Sequence, residues 1–193
     1  VNSGTLKIAG DLVTSGLVEI TENAILDKSG VYRQSGGSTR VDGELSASQV
    51  VIDSGYLSGL GTIGANVDVF GTIAPGASPG ILTIDGSFNL YAAAVLELEV
   101  SGYTPGEYDQ LIVSGNANFE ENSIFNISFY DDTAIKQGDI FNFISASSFT
   151  GDLDKVIYSV LWAGRSFEYN MDYKNGFLAM EILQPATVPV PSA

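Results

Sequence analysis

Gly71-Thr72-Ile73-Ala74-Pro75-Gly76-Ala77-Ser78-Pro79-Gly80-Ile81-Leu82-Thr83-Ile84 sets two Pro-Gly pairs four residues apart between two short β-prone runs. Each pair puts proline at the second and glycine at the third position of a type II turn, where the ring presets one φ and the next must be positive. Two such turns in succession make a rigid corner. Just upstream, Gly59-Leu60-Gly61-Thr62-Ile63-Gly64-Ala65-Asn66-Val67 has the same mix of small corner residues and isolated branched aliphatics. Gly59, Gly61 and Gly64 also spell G-x-G-x-x-G, but a dinucleotide site needs that motif between a strand and a helix, and β-prone residues follow it here. A corner in a stack of short strands fits better.

Outward from this corner the pattern repeats. Thr5-Leu6-Lys7-Ile8, Leu17-Val18-Glu19-Ile20, Val31-Tyr32-Arg33-Gln34, Gln49-Val50-Val51-Ile52 and Val67-Asp68-Val69-Phe70 are short, and most of them alternate apolar with polar or small residues. That period of two marks strands with one buried face. Gly4, Gly16, Gly30, Gly43, Gly55 and Gly71 punctuate them at gaps of about 12 to 16 residues, a loose internal repeat. Hairpin dipeptides are scarce: Asp42-Gly43, Asp85-Gly86 and, far downstream, Asn175-Gly176. Residues 1–90 therefore read as an all-β parallel solenoid (a β-helix), with an antiparallel sandwich as the competing reading. Residues 91–184 read as the end of the solenoid with a small C-terminal β-sheet or sandwich module. There the aromatics concentrate, in strands over 124–130, 140–144, 156–162, 167–173 and 177–183, the last two joined by Lys174-Asn175-Gly176. Only Leu90–Val95 and Ser145–Phe149 are compatible with a helix. Residues 185–193 hold three prolines and read as an extended tail.

The corner at Gly71–Ile84 resembles the G-x-[IVL]-x-P-G-x-S-P-G-x-[IL]-x-[IV] signature of autotransporter passengers and related bacterial surface proteins. Its distinguishing positions here are Gly71, Pro75, Gly76, Ser78, Pro79 and Gly80. Gly106-Glu107-Tyr108-Asp109-Gln110-Leu111-Ile112-Val113-Ser114-Gly115-Asn116-Ala117, after the strand Leu96–Val100, is similar to a second block of that family. Together the two blocks span about a third of the chain. Val188-Pro189-Val190-Pro191-Ser192 resembles the V-P-x-P-[ST] opening of a PEP-CTERM sorting signal, with Val190 where the usual motif has Glu and without the hydrophobic span and basic tail. The resemblance implies export to the bacterial surface or extracellular matrix. The opening Val1-Asn2-Ser3-Gly4, lacking an initiator Met, reads as a mature or trimmed end.

Composition narrows the chemistry. Twenty-three acidic against eight basic residues give a net charge of −15, with neither histidine nor cysteine among 193 residues. Histidine is the commonest general base, and cysteine supplies thiol nucleophiles, thiolate metal sites and disulfides. The acidity argues against nucleic acid and anionic lipid as partners, and no run of 18 apolar residues exists to span a bilayer.

Carboxylate pairs for glycoside hydrolysis are Glu97 with Glu99, Glu120 with Glu121 and Asp131 with Asp132; alternation puts Glu97 and Glu99 on one strand face. A solvated outer face is the plainer reading. Lys7, Lys28, Arg33 and Arg40 form no convergent pattern for a lyase base, and no EF-hand loop occurs, although Asp152 and Asp154 or Asp131 and Asp132 could offer oxygen ligands for weak Ca2+ binding. No catalytic, cofactor or metal residue is assigned.

The expected function is structural and non-enzymatic: head-to-tail self-assembly into a surface fibre or biofilm-matrix component. The first strand, Gly4, Thr5, Leu6, Lys7 and Ile8, would complement the sheet of a neighbouring copy. The alternative is an adhesin or glycan-binding module, with surface glycans as partners, and a polysaccharide-active enzyme stands behind both.

Overall fold

The computed structural model describes residues 1–76, 79–130, 135–162 and 166–187. Every coil carries three strands, one on each of three sheets. The first is β1 (Gly4–Ile8), β2 (Leu12–Thr14) and β3 (Leu17–Ile20); the second β4 (Ala24–Lys28), β5 (Val31–Gln34) and β6 (Ser38–Val41). The third is β7 (Glu44–Ser46), β8 (Gln49–Ile52) and β9 (Tyr56–Gly59); the fourth β10 (Thr62–Gly64), β11 (Val67–Val69) and β12 (Thr72–Pro75). The fifth is β13 (Ile81–Ile84), β14 (Phe88–Leu90) and β15 (Val95–Val100); the sixth β16 (Gln110–Val113), β17 (Asn116–Phe119) and β18 (Ile124–Phe129). The seventh is β19 (Ile140–Ser145), β20 (Ser148–Thr150) and β21 (Ile157–Leu161), followed by β22 (Ser166–Lys174) and β23 (Phe177–Thr187).

Sheet A takes the first strand of each coil plus β23 and β22, in the order β1-β4-β7-β10-β13-β16-β19-β23-β22. Sheet B takes the second strand and sheet C the third, seven strands each. Within the coils all pairing is parallel and in register, as in Val18↔Thr39 and Leu57↔Ile73. The protein is an all-β parallel solenoid. Its coils continue past residue 90 through β21. Of the strands expected for a C-terminal module, β18, β19 and β21 belong to these coils, and the antiparallel part is the hairpin β22–β23 laid on β19.

The inward residues stack in columns. On sheet A, Leu26, Leu45, Ile63, Ile84 and Val113 follow one another, and on sheet B Gln34, Ile52, Val69, Leu90 and Phe119 do so. The columns change character along the rod. Lys28, Tyr32, Gln34 and Thr39 make the interior of the second coil polar, the middle coils are aliphatic, and Phe119, Phe125, Phe129, Phe141 and Phe143 fill the last coils. Most of these polar atoms find partners: Lys28 Nζ donates to the Gly10 carbonyl, Tyr32 and Thr39 share a 2.6 Å bond, and Gln34 Nε2 reaches three backbone carbonyls, from 3.1 to 3.4 Å, while Gln34 Oε1 has none.

The coil also lengthens. Glu44 pairs with Thr62, 18 residues on, whereas Ile112 pairs with Ser145, 33 residues on. The added residues fall between the third strand of one coil and the first of the next, after β12, β15 and β18. Thus the gaps of about 12 to 16 residues between glycines are not the coil period. These glycines open β1 or precede β3, β5, β7, β9 and β12, so four of the five gaps span two strands, two-thirds of a coil.

Two local expectations are corrected. Asp42-Gly43 and Asp85-Gly86 are coil corners: Asp42 and Gly43 N–H both donate to the Ile20 carbonyl, and Asp85 N–H donates to that of Ile63. Neither Leu90–Val95 nor Ser145–Phe149 is helical, because both are strand ends around a corner. Among the described residues only Leu153–Lys155 forms a 3-10 turn, capped by Asp152. Asn175 and Gly176, with φ of 53° and 82°, do make a tight hairpin turn, both positive as a primed turn requires.

Candidate functional site

The two ends of the rod differ. At the first coil, β1, β2 and β3 each pair on one side only, with β4, β5 and β6, and terminate their sheets. Residues in register with buried positions are uncovered: Leu6 lies opposite Leu26 but is 46% exposed. Val13 and Leu17, 62% and 67% exposed, lie opposite the unburied Arg33 and Ser38, on the outer face of their strands. The first residues fold onto this edge, with the Val1 ammonium donating to the Glu19 carbonyl at 2.5 Å and Thr21 Oγ1 to the Asn2 carbonyl at 2.7 Å. Of the assembly candidates, Gly4, Thr5, Leu6, Lys7 and Ile8 form edge strand β1, and Lys7 is tied to Asp27 at 3.0 Å.

At the other end the hairpin closes the core. Leu178, Met180 and Ile182 of β23 are fully buried, and Phe167, Tyr169, Met171 and Tyr173 of β22 are half-buried against the core. Tyr173 stacks on Phe149 at 4.8 Å, and Phe167 meets Phe129 edge-on at 5.2 Å. The alternate residues Glu168, Asn170, Asp172 and Lys174 face solvent. The hairpin thus covers the core at this end, while Ile157 and Leu161 on β21 and Leu183 on β23 stay exposed and β20 and β21 end their sheets.

A second feature is a groove of about 500 Å³ on the outer face of sheet C. Its lining comes from the outward positions of successive strands: Arg40 on β6, Tyr56 and Ser58 on β9, Ala74 on β12, Glu97 and Glu99 on β15. Asn126 and Ser128 of β18 and Ser159 and Leu161 of β21 continue it, and Pro75, Gly76 and Asp109 flank it. The paired carboxylates read from the sequence therefore do share one face and one concavity. Tyr56 Oη donates to Glu97 Oε2 at 2.5 Å, and Tyr130 Oη to Glu99 Oε2 at 3.3 Å. Burial first, then the bond to Glu97 and the neighbouring negative charges, push the Tyr56 phenol above its ordinary value, so it stays a donor. Arg40 is held by Asp42 at 2.6 Å.

The two blocks that resemble surface-protein signatures meet beside this groove. Asp109, 2% exposed, accepts from Gly80 N–H at 2.7 Å through one oxygen and from Glu99 N–H at 2.8 Å through the other. It ties the Pro-Gly corner to β15. Gly76 has φ 97°, as the third position of a type II turn demands, and a Cβ there would lie 2.5 Å from Asp109 Oδ1. Gly71 is a corner against the Gly55 carbonyl, and Pro75 ends β12, while Ser78 lies outside the described residues. Burial raises the Asp109 carboxyl to about 7, against the two N–H donors that lower it. Sequence reasoning gave Asp109 no role because its partner is 29 residues away, and it gave Tyr56 and Tyr130 none because single tyrosines carry no spacing signal.

The remaining candidates scatter. Glu120 accepts from Ala92 N–H at 3.3 Å and Glu121 pairs with Lys155 at 3.5 Å, both at a corner. Lys28 is buried, and Arg33 pairs with Asp53 at 2.5 Å. Gly59 and Gly61 lie under the previous coil, and a Cβ on either would meet a backbone carbonyl oxygen at 2.0 Å. Asp131, Asp132, Val188, Pro189, Val190 and Pro191 lie outside the described residues. Among the described residues no three acidic groups gather as a metal site, and no helix is long and apolar enough to cross a membrane. The chain matches no protein-family model, and no curated protein is significantly similar to it.

Proposed function

We propose that this protein is a non-enzymatic structural component of a bacterial surface or extracellular matrix, and that copies of it associate end-on through the first coil. The observation that carries the reading is that coil: three strand edges with unmet backbone N–H and C=O groups around an uncovered apolar layer. Charge distribution supports it. Residues 1–40 hold four basic and four acidic residues, 41–135 hold thirteen acidic and no basic, and 136–193 hold four basic and six acidic. Flank-to-flank contact is opposed by like charge, whereas the ends are close to neutral. Strand addition of β1 along the outer edge of β22 in a neighbour is a contact that does not close, and it grows a fibre.

A second reading, two-fold pairing of two first coils, is favoured by the hairpin, which covers the core only at the other end. Light scattering with negative-stain microscopy separates them: fibres lengthening with concentration for the first, a dimer limit for the second. Leu6→Lys is expected to weaken either association at least tenfold while far-ultraviolet dichroism stays unchanged. Monodisperse monomers at every salt and calcium concentration would overturn the reading.

A further inference from the structure

We infer that the groove on sheet C is a binding site for a linear, uncharged or amine-bearing polysaccharide, lying along the rod across the strands. Its shape selects a chain. Lining residues come from β6, β9, β12, β15, β18 and β21, six strands about 4.8 Å apart, so it runs about 24 Å in length. A volume of about 500 Å³ over that length is narrow, suited to an extended oligomer rather than a compact ligand. The floor is kept low by Ser58, Ala74 and Gly76, with Ser128 and Ser159 further along.

Its chemistry selects hydroxyls. Glu97 and Glu99 accept hydrogen bonds only, and each oxygen takes more than one donor, so the bonds from Tyr56 and Tyr130 orient the carboxylates without exhausting them. The serines and Asn126 can both donate and accept. A sugar hydroxyl, itself donor and acceptor, meets both demands. An anionic chain is refused, because Arg40, the one cation among the described residues lining the groove, is already held by Asp42 and no basic residue occurs between 41 and 135. Tyr56, 36% exposed, offers the edge of an apolar ring to a sugar face.

Titration calorimetry on the full chain tests the site, with the hexamers of β-1,4-glucose, β-1,4-glucosamine and galacturonic acid, the corresponding glucose dimer and a lysine-rich decapeptide as probes. At least one of the first two hexamers should bind, at least tenfold more tightly than the dimer, and the galacturonate hexamer should not. Glu97→Gln and Ser58→Trp should each weaken that binding at least tenfold with an unchanged melting temperature. The Leu6→Lys variant should bind the hexamer as the parent does, which separates this site from the assembly reading. Binding of neither hexamer, binding indifferent to both groove substitutions, equal binding of galacturonate, or binding of the decapeptide alone would each overturn it.

Discussion

Asp109 holds together two segments that local propensity alone would leave apart. Removing it orphans the Gly80 and Glu99 N–H groups, and a buried unpaired donor costs about 1–3 kcal/mol. Asp109→Ala is therefore expected to destabilise by about 2–4 kcal/mol in urea unfolding. The acid also sets a pH dependence. Its folded value of about 7 lies above that of an unfolded aspartate, so the folded chain keeps a proton that the unfolded chain gives up. Its contribution is complete below about pH 4 and declines as pH rises through 7, by about 1.4 kcal/mol per displaced pK unit. Melts from pH 4 to 8 should show that slope in the parent and a flatter one in Asp109→Asn. The glycines divide just as sharply. Gly61→Ala drives a Cβ to 2.0 Å from the Gly43 carbonyl oxygen and should cost more than 2 kcal/mol, whereas Gly16, with nothing within 4 Å, should accept alanine at about zero cost. Paired chemical denaturation curves check both.

Among the elements, legibility was uneven: β4, β6 and β9, each of four residues or more, were not read as strands, whereas the three-residue β11 was. Runs 17–20, 31–34, 49–52 and 81–84 are β3, β5, β8 and β13 with the same bounds, because β-prone residues cluster there between small corner residues. The helix-compatible segment at 90–95 failed because its alanines fill a tight corner, with Ala93 at φ 64° and Ala94 buried. Within the groove, period-two alternation predicted that Glu97 and Glu99 share a face. The tyrosines that steady them come from β9 and from just past β18, and nothing in a single sequence announces such neighbours. The aromatic hairpin is the element on which closure depends. Tyr173→Ala removes a ring stacked on both Phe149 and Phe119 and should cost about 3 kcal/mol, and dye binding should report newly exposed apolar surface.

For the whole molecule, the acidic excess of the stretch 41–135, thirteen acids and no base, sets how copies approach. Screening reaches about 8 Å at physiological ionic strength, so added salt should strengthen association and promote bundling of rods along their flanks. Sedimentation across a sodium chloride series would measure it. One-sided closure matters even for a solitary copy. Each turn of the rod is buttressed only by those above and below it, and the terminal one at Gly4–Ile20 has a single buttress. Unravelling should therefore have a direction, peeling from Val1 toward the aromatic plug, and amide exchange should slow progressively along the same path.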